Sequence, residues 1–215
     1  MSILNKLERW LHKYRVKPFF NYIVFAMAGI YLLNLFFPQF FLTFRLSLIR
    51  ESVFNGEVWR LLTFLINPPG GSILQTALTL YFYYFIGTAL EARWGARRFL
   101  VYYAVGAAAA IIAGMMTGFG TNLYLNLSLF FAFAIQYPDF QLLLFFILPI
   151  KVKWLALLNA VYYVYGFISG TWPLRIAILF SLVNFILFFG GDLINKSRLA
   201  IQQWKRRQIF KKNSR

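Results

Sequence analysis

Long apolar runs, each separated from the next by glycines, prolines or a few polar residues, make up most of the chain. A membrane-crossing helix needs about 20 mostly apolar residues. Runs that approach this length lie at 19–37, 73–90, 99–117, 122–137, 153–169 and 174–193. Pro38 ends the first run and Pro138 ends the fourth, as expected where a helix has to stop. The pattern predicts an all-α, polytopic membrane protein with six transmembrane helices.

The positions of lysine and arginine agree with six spans. All but four of the 22 basic residues then fall on one side of the membrane; the exceptions are Arg45, Arg50, Arg60 and Arg175. Basic residues are retained on the cytoplasmic side, so both termini are predicted to be cytoplasmic. Only 13% of residues are charged and 60% are hydrophobic, whereas a soluble domain has about 25% charged residues.

Three segments follow from this arrangement: residues 1–18, a membrane domain at 19–193, and a basic cytoplasmic tail at 194–215. Apolar residues at helical spacing in the first segment (Ile3, Leu7, Trp10, Leu11 and Tyr14) predict a helix on the membrane surface, although a frayed basic tail fits equally well. The net charge of +16 indicates contact with anionic lipids of the inner leaflet rather than with nucleic acid. The lack of cysteine and of a targeting peptide favours a bacterial inner membrane.

Two further features concern packing. The loop between the first two spans is long and apolar, so it should be half-submerged in the outer leaflet, with much of it helical or packed on the bundle. Trp59 is expected to anchor it at the interface, with Arg60 extending outward to water. In the third span Gly106, Ala110, Gly114 and Gly118 recur every fourth residue, which predicts a close helix contact. The apolar stretch after Pro138 is too short to span and is interpreted as interfacial.

Two sequence motifs resemble the rhomboid superfamily of membrane proteins. One is GEVWRLLTFLINP at 56–68 in the first loop, and the other is IGTALEARWGARRFLVYY at 86–103, across the second and third spans. The matching positions are Trp59, Arg60, Gly87, Leu90, Glu91 and Gly95. The resemblance implies six helices, a cytoplasmic N-terminus and a half-submerged first loop.

The resemblance fails where catalysis would occur. A rhomboid protease has a glycine–x–serine–glycine motif in its fourth helix and a histidine in its sixth. The chain contains no such motif; the nucleophile's place is predicted near Leu123, and Asn184 stands roughly where the histidine would be. The only histidine, His12, precedes the first span. We therefore expect Glu91 and Arg60 to be structural, with Glu91 accepting hydrogen bonds from backbone amides of the loop that follows the second span.

Other catalytic or metal chemistry has little support in the sequence. Without cysteines, and with one histidine and six acidic residues, no metal or cofactor is expected. The two aspartates, Asp139 and Asp192, lie at the cytoplasmic ends of spans and fit capping better than a catalytic pair. The polar side chains inside the fourth and sixth spans form a candidate binding face: Asn122, Asn126, Ser128, Ser181 and Asn184.

The sequence thus predicts a non-catalytic, rhomboid-like scaffold that binds other transmembrane proteins, with a role in quality control or trafficking. An intramembrane serine endopeptidase with a degenerate active site is the alternative from the enzyme class. A small membrane transporter is a third possibility, disfavoured because no inverted repeat or broken, charged helix is visible. On the first interpretation, Asn122 or Asn126 would meet Asn184 and keep the former active-site seam closed but polar.

Overall fold

The computed structural model describes residues 16–144, 148–186, 188 and 189. The predicted surface helix at the N-terminus lies almost wholly outside the described residues, and the basic tail lies wholly outside them.

The described residues are mostly helical. The helices are α1 (Phe20–Phe36), α2 (Leu42–Leu46), α3 (Arg50–Phe54), α4 (Arg60–Thr63), α5 (Ile73–Trp94), α6 (Ala96–Thr117), α7 (Leu123–Gln136), α8 (Val152–Ser169) and α9 (Trp172–Ile186). Short 3-10 turns at Pro38–Phe40 and Phe64–Ile66 join elements of the first loop. All six predicted spans therefore contain a helix, and Pro38 ends the first of them as expected.

Two helices, α5 and α6, are each long and apolar enough to cross a membrane. Each has 22 residues, which corresponds to a rise of about 33 Å and matches a hydrocarbon layer of about 30 Å. Helix α1 forms a third candidate together with the short helical segment after it, although the chain bends by 107° between them. Helices α7 and α9 are apolar but shorter.

Hydrogen bonds place the ends of the helices at two opposite ends of the bundle. At one end, which we call the basic end, the start of α1 meets the end of α5 through Phe19 and Glu91, and Arg93 reaches Gln136 at the end of α7. Lys151 and Lys153 lie at this end because the Val152 amide donates to the Phe140 carbonyl. At the other end, Leu48 and Ile49 pair with Phe119 and Gly120.

Two small antiparallel sheets depart from the all-α prediction. The first joins β1 (Leu48–Ile49) in the first loop to β2 (Phe119–Gly120) after α6. The second is a hairpin of β3 (Gln141–Leu144) and β4 (Leu148–Lys151), in the segment interpreted as interfacial. Pairing satisfies the backbone amides and carbonyls of these segments, which lie outside the helices.

The outer surface of the bundle is strongly apolar. Helix α8 exposes Trp154, Leu158, Tyr162, Tyr165 and Ile168, each by more than half, and only Val152 on it is buried. A surface of this kind is stable in lipid and not in water. The buried core combines aliphatic and aromatic side chains, and toward the basic end Phe20, Phe99 and Tyr102 are fully enclosed.

Candidate functional site

The first motif holds the long loop together through Arg60. Arg60 is 3% exposed, and its guanidinium group donates to the carbonyl oxygens of Phe44 at 2.7 Å and Ser47 at 2.9 Å and also pairs with Glu57. The prediction that Arg60 extends outward to water is therefore wrong, because three acceptors inside the loop hold it. Trp59 is 53% exposed on the same segment.

Polar side chains one and two turns further on continue this arrangement. Thr63 donates to the Leu46 carbonyl, and the Asn67 amide donates to the Ser47 hydroxyl at 3.0 Å. The loop residues around Ser47 are thus fixed by Arg60, Thr63 and Asn67, which follow one another at helical spacing. The expectation that the loop is partly helical and packed on the bundle is confirmed.

The second motif joins α1, α5 and α6 at the basic end. Gly87 lies against the Phe20 ring, and a Cβ atom there would come within 2.0 Å of two ring carbons. Leu90 is fully buried. Gly95 has a φ of +83°, a conformation that favours glycine, and this allows α6 to begin immediately after α5.

Glu91 caps α1 from the end of α5. It is 4% exposed, and its carboxylate accepts hydrogen bonds from the backbone amides of Phe19 at 2.8 Å and Phe20 at 3.5 Å. These amides belong to the first turn of α1, where no residue of the same helix can accept from them. The amides that Glu91 was expected to bind, those of the loop after α5, are not the ones found. A negative charge at the N-terminus of α1 stabilises that helix, because it interacts favourably with the helix dipole.

We expect Glu91→Gln to lower the free energy of unfolding by about 1–3 kcal/mol. Glutamine has the same shape but carries no charge. Its single side-chain oxygen can accept from one of the two backbone amides, and its NH₂ group then faces the other amide, which is also a donor. Chemical denaturation in detergent micelles measures the change. The outward-facing Glu51→Gln, on α3, is the matched control and should change stability by less than about 0.5 kcal/mol. Equal effects of the two variants would contradict the capping role.

The row of small residues in the third predicted span, α6, does not pack against a single neighbouring helix. A Cβ on Gly106 would meet Leu125 of α7 and Asn184 of α9, and one on Gly114 would meet Leu48 and the Gly120 backbone. Gly118 has open space around it and ends α6 with a φ of +93°. The row therefore packs partly on helices and partly on the β1–β2 pair, and the prediction that Gly118 belongs to the contact is wrong.

A cavity of about 260 Å³ lies between α6, α7 and α9, beneath the β1–β2 pair; we call it the seam cavity. Small residues of α6 form one wall, including Gly106, Ala110 and Gly114. The opposite walls carry Ser128 from α7 and Ser181 and Asn184 from α9. Three of the five predicted face residues are therefore brought together here.

Ser128 and Asn184 face each other across the seam cavity. Ser128 is 1% exposed, and its hydroxyl donates to the Leu125 carbonyl at 2.7 Å. The Asn184 amide nitrogen donates to the Ser128 oxygen at 3.4 Å, while its own oxygen has no hydrogen-bond partner within the described residues. Ser181 donates to the Tyr124 carbonyl at 2.9 Å. The residue opposite Asn184 is thus Ser128 and not Leu123, which is 49% exposed on another side of α7.

Comparison with known proteins adds nothing to this geometry, since no protein-family model and no curated protein matches the chain.

The other two predicted face residues point elsewhere. Asn122, immediately before α7, donates to the carbonyls of Leu65 at 3.1 Å and Asn67 at 2.8 Å, and so ties the first loop to the bundle. Asn126 lines a second cavity, between α5, α7 and α8. The prediction that one of them meets Asn184 is therefore wrong.

The remaining chemical candidates are not assembled into a site. Asp139 is paired with Lys151 and Lys153 at the basic end, and its hydrogen bond to Lys153 lowers the pKa of its carboxyl below the ordinary value. The two neighbouring lysines favour the ionised form of this carboxyl, so its partners account for it without a catalytic role. Asp192 lies outside the described residues. Across the part of the chain that the structure describes, no group of three or more histidine, aspartate or glutamate residues could hold a metal ion.

One residue that contacts Ser128 was not predicted from the sequence. Tyr102 on α6 is fully buried, and its hydroxyl donates to the Ser128 carbonyl at 2.9 Å. It belongs to an aromatic run on an apolar helix, where nothing distinguishes a tyrosine that bonds a neighbour from one at the lipid interface. Its bond fixes the α7 backbone at the position of Ser128.

Proposed function

We propose that the chain is a six-span, rhomboid-like pseudoprotease that binds other transmembrane proteins through the seam cavity and does not cleave them. The observation that carries the proposal is the pairing of Ser128 with Asn184. A serine becomes a nucleophile when a neighbouring base takes its proton. Here the neighbour is an amide that donates to the serine oxygen, and the serine donates to a backbone carbonyl.

The polar lining of the seam cavity supports binding. Asn184 is 1% exposed and keeps an unused acceptor at the cavity wall. Inside an apolar helix bundle, an uncompensated acceptor favours a partner that brings a donor. A transmembrane segment with a serine, threonine or amide side chain supplies such a donor, whereas a purely apolar segment does not.

The enzyme alternative has one observation in its favour, because a serine does stand in the seam. If Ser128 were reactive, a base would have to activate it, and no histidine is among the residues that the structure describes. Among the described residues, every lysine lies at the basic end, far along the bundle from Ser128. This favours binding over acyl transfer.

We expect the purified protein in liposomes to cleave no model transmembrane substrate and to resist labelling by a fluorophosphonate, which reacts with activated serines. Asn184→His places a base opposite Ser128 and provides the positive comparison. Labelling of the Asn184→His variant that disappears in the double variant with Ser128→Ala would show that the probe reaches the seam. Labelling or cleavage by the unaltered chain, abolished by Ser128→Ala, would overturn the proposal in favour of the protease.

Binding is tested by photo-crosslinking from the cavity wall in whole membranes. A benzophenone amino acid at Ala177, which lines the seam cavity, should capture membrane proteins, and one at the lipid-exposed Val164 on α8 gives the background. Asn184→Leu is expected to reduce the specific yield from Ala177 several-fold, whereas Ser128→Ala should change it little. An unchanged yield in Asn184→Leu would remove the support for the seam as the binding site.

The six-span topology is the structural basis of the proposal. The described basic residues near Glu91 lie at one end, and Arg50 and Arg175 lie toward the other, in accordance with the charge pattern. A reporter fused after residue 120 should be active outside the cytoplasm, and one fused after residue 215 should be active inside. Any other pairing of the two readings contradicts an even number of spans with cytoplasmic termini.

A further inference from the structure

A third cavity, of about 810 Å³, lies within the first loop, at the end of the bundle opposite the basic end. One wall is α2 with the residue before it, and the other is the start of α4 with the turn that leads into it. The lining residues are Phe41, Phe44, Arg45, Glu57, Trp59 and Arg60. The three aromatic side chains are each more than half exposed, so they form an apolar rim. We call it the loop cavity.

The charged groups of the loop cavity are not all used by the fold. Arg60 is buried and bonds Phe44, Ser47 and Glu57. Its bond to Glu57 uses the Oε2 atom of that carboxylate, whereas Oε1 accepts no hydrogen bond from any described residue and the side chain is 38% exposed. Arg45 is exposed, and its guanidinium group has no partner among the described residues. The cavity thus offers one unused cation and one unused carboxylate oxygen.

These two groups limit the charge of a ligand. An anion bound at Arg45 shares the cavity with the carboxylate of Glu57, and a cation bound at Glu57 shares it with Arg45. A ligand with both charges on a short linker complements both groups at once, whereas a ligand with one charge complements only one of them. A phosphodiester suits the first of these groups, because its oxygens match the planar N–H donors of a guanidinium.

The unused oxygen of Glu57 limits the positive group. A carboxylate oxygen bonds to a donor, and a primary ammonium has three N–H donors, whereas a trimethylammonium group has none. A glycerol hydroxyl also donates, but a hydrogen bond between two charged groups is the stronger. The two groups together therefore fit a phosphoethanolamine better than a phosphocholine or a phosphoglycerol.

The aromatic rim indicates that this group belongs to a lipid. Phe41, Phe44 and Trp59 surround the charged groups, and exposed aromatic side chains of this kind lie where lipid head groups meet acyl chains. A water-soluble ligand gains nothing from such a rim, whereas the acyl chains of a lipid contact it.

From these observations we infer that the loop cavity binds the head group of a phosphatidylethanolamine in the leaflet opposite the basic end. The phosphate lies against Arg45, the ammonium against the Oε1 atom of Glu57, and the acyl chains leave past the aromatic rim. The inference is independent of the seam cavity, with which the loop cavity shares no lining residue.

The test is native mass spectrometry of the full, delipidated chain in detergent. Phosphatidylethanolamine, phosphatidylcholine and phosphatidylglycerol with identical acyl chains are added in turn. The unaltered chain should bind phosphatidylethanolamine several-fold more than phosphatidylcholine. Arg45→Gln should reduce the bound phosphatidylethanolamine several-fold. Arg50→Gln, the matched control, removes the same charge from an exposed position of the first loop outside the cavity and should leave the binding unchanged.

Glu57→Gln tests the ammonium half separately. Glutamine keeps one oxygen for Arg60 and turns an NH₂ group toward the ligand, so the preference for phosphatidylethanolamine over phosphatidylcholine should disappear. The same preference in the unaltered chain tests this half without a substitution. Equal binding of these two lipids by the unaltered chain would overturn the inference.

Two further results would also overturn it. If Arg45→Gln reduced phosphatidylglycerol binding as much as phosphatidylethanolamine binding, Arg45 would attract any phosphodiester and the cavity would not recognise the head group. If glycerophosphoethanolamine, which has the head group without acyl chains, displaced the lipid at equal concentration, the ligand would be water-soluble. The exposed position of Arg45 means that Arg45→Gln should fold, and an unchanged midpoint of thermal unfolding in detergent checks this.

Discussion

Replacing Arg60 with alanine is expected to release the first loop from the bundle and to lower the free energy of unfolding by about 3–5 kcal/mol. The guanidinium group is buried and satisfies the carbonyls of Phe44 and Ser47 as well as the carboxylate of Glu57. Alanine removes all three hydrogen bonds and leaves the acceptors unpaired within the loop. Denaturation in mild detergent measures the loss, and proteolysis of the loop should become faster at the same time.

Arg45→Ala is the control for this experiment. It removes an equal charge from the same loop, but Arg45 is exposed, so its loss should cost less than about 0.5 kcal/mol. Arg60→Lys should fall between the two, because an ammonium group keeps the charge but cannot reach several acceptors in the plane of a guanidinium. If Arg60→Ala and Arg45→Ala were equally stable, Arg60 would not be what holds the loop.

Gly114→Leu is the second substitution expected to have a large effect, a destabilisation of about 1–3 kcal/mol or more from overpacking. A Cβ atom at Gly114 would lie 2.6 Å from Leu48 and 2.8 Å from the Cα of Gly120. The second contact is with backbone, which cannot turn aside as a side chain can. The rest of a leucine side chain would therefore push β1 and β2 away from α6, and with them the cover of the seam cavity.

Gly29→Leu provides the comparison for this variant. Gly29 also lies within an apolar helix, but nothing approaches a Cβ there within 4 Å. The leucine would point into lipid, and the higher helix propensity of leucine makes a small gain in stability the expected result. The measurement is the midpoint of thermal unfolding of both variants in the same detergent. An unchanged midpoint in Gly114→Leu would mean that β1 and β2 do not pack on α6 as described.

Helix positions could be predicted from the sequence because prolines, glycines and apolar runs are local signals. Pro38 stops α1, and Gly95 and Gly118 have the positive φ angles that bound α6. The strands β3 and β4 could not be predicted, because QLLL and LPIK show no alternation of polar and apolar residues. Their pairing depends on the chain reversing its direction between the two segments, and neither segment's sequence indicates that reversal.

The polar residues of the fourth span show where prediction from sequence fails. Asn126 and Ser128 are two residues apart, and therefore about 200° apart around a helix, so they cannot face the same neighbour. In a soluble protein the polar face of a helix would indicate its rotation. In lipid both faces of α7 are apolar, so the sequence pattern does not indicate which side of the helix faces which neighbour. The structure was needed to show that Ser128 faces α9 and that Asn126 faces α5 and α8.

The cap that Glu91 places on α1 has a consequence for biosynthesis. The carboxylate and the Phe19 amide that it accepts from are 72 residues apart in the chain. At about 5–20 residues per second, the ribosome adds Glu91 roughly 4–14 s after Phe19. During that interval the first turn of α1 has exposed amide donors, which are costly within the hydrocarbon layer. The N-terminal turn of α1 should therefore wait at the headgroup level until α5 has been inserted, so the two helices reach their final depth as a pair.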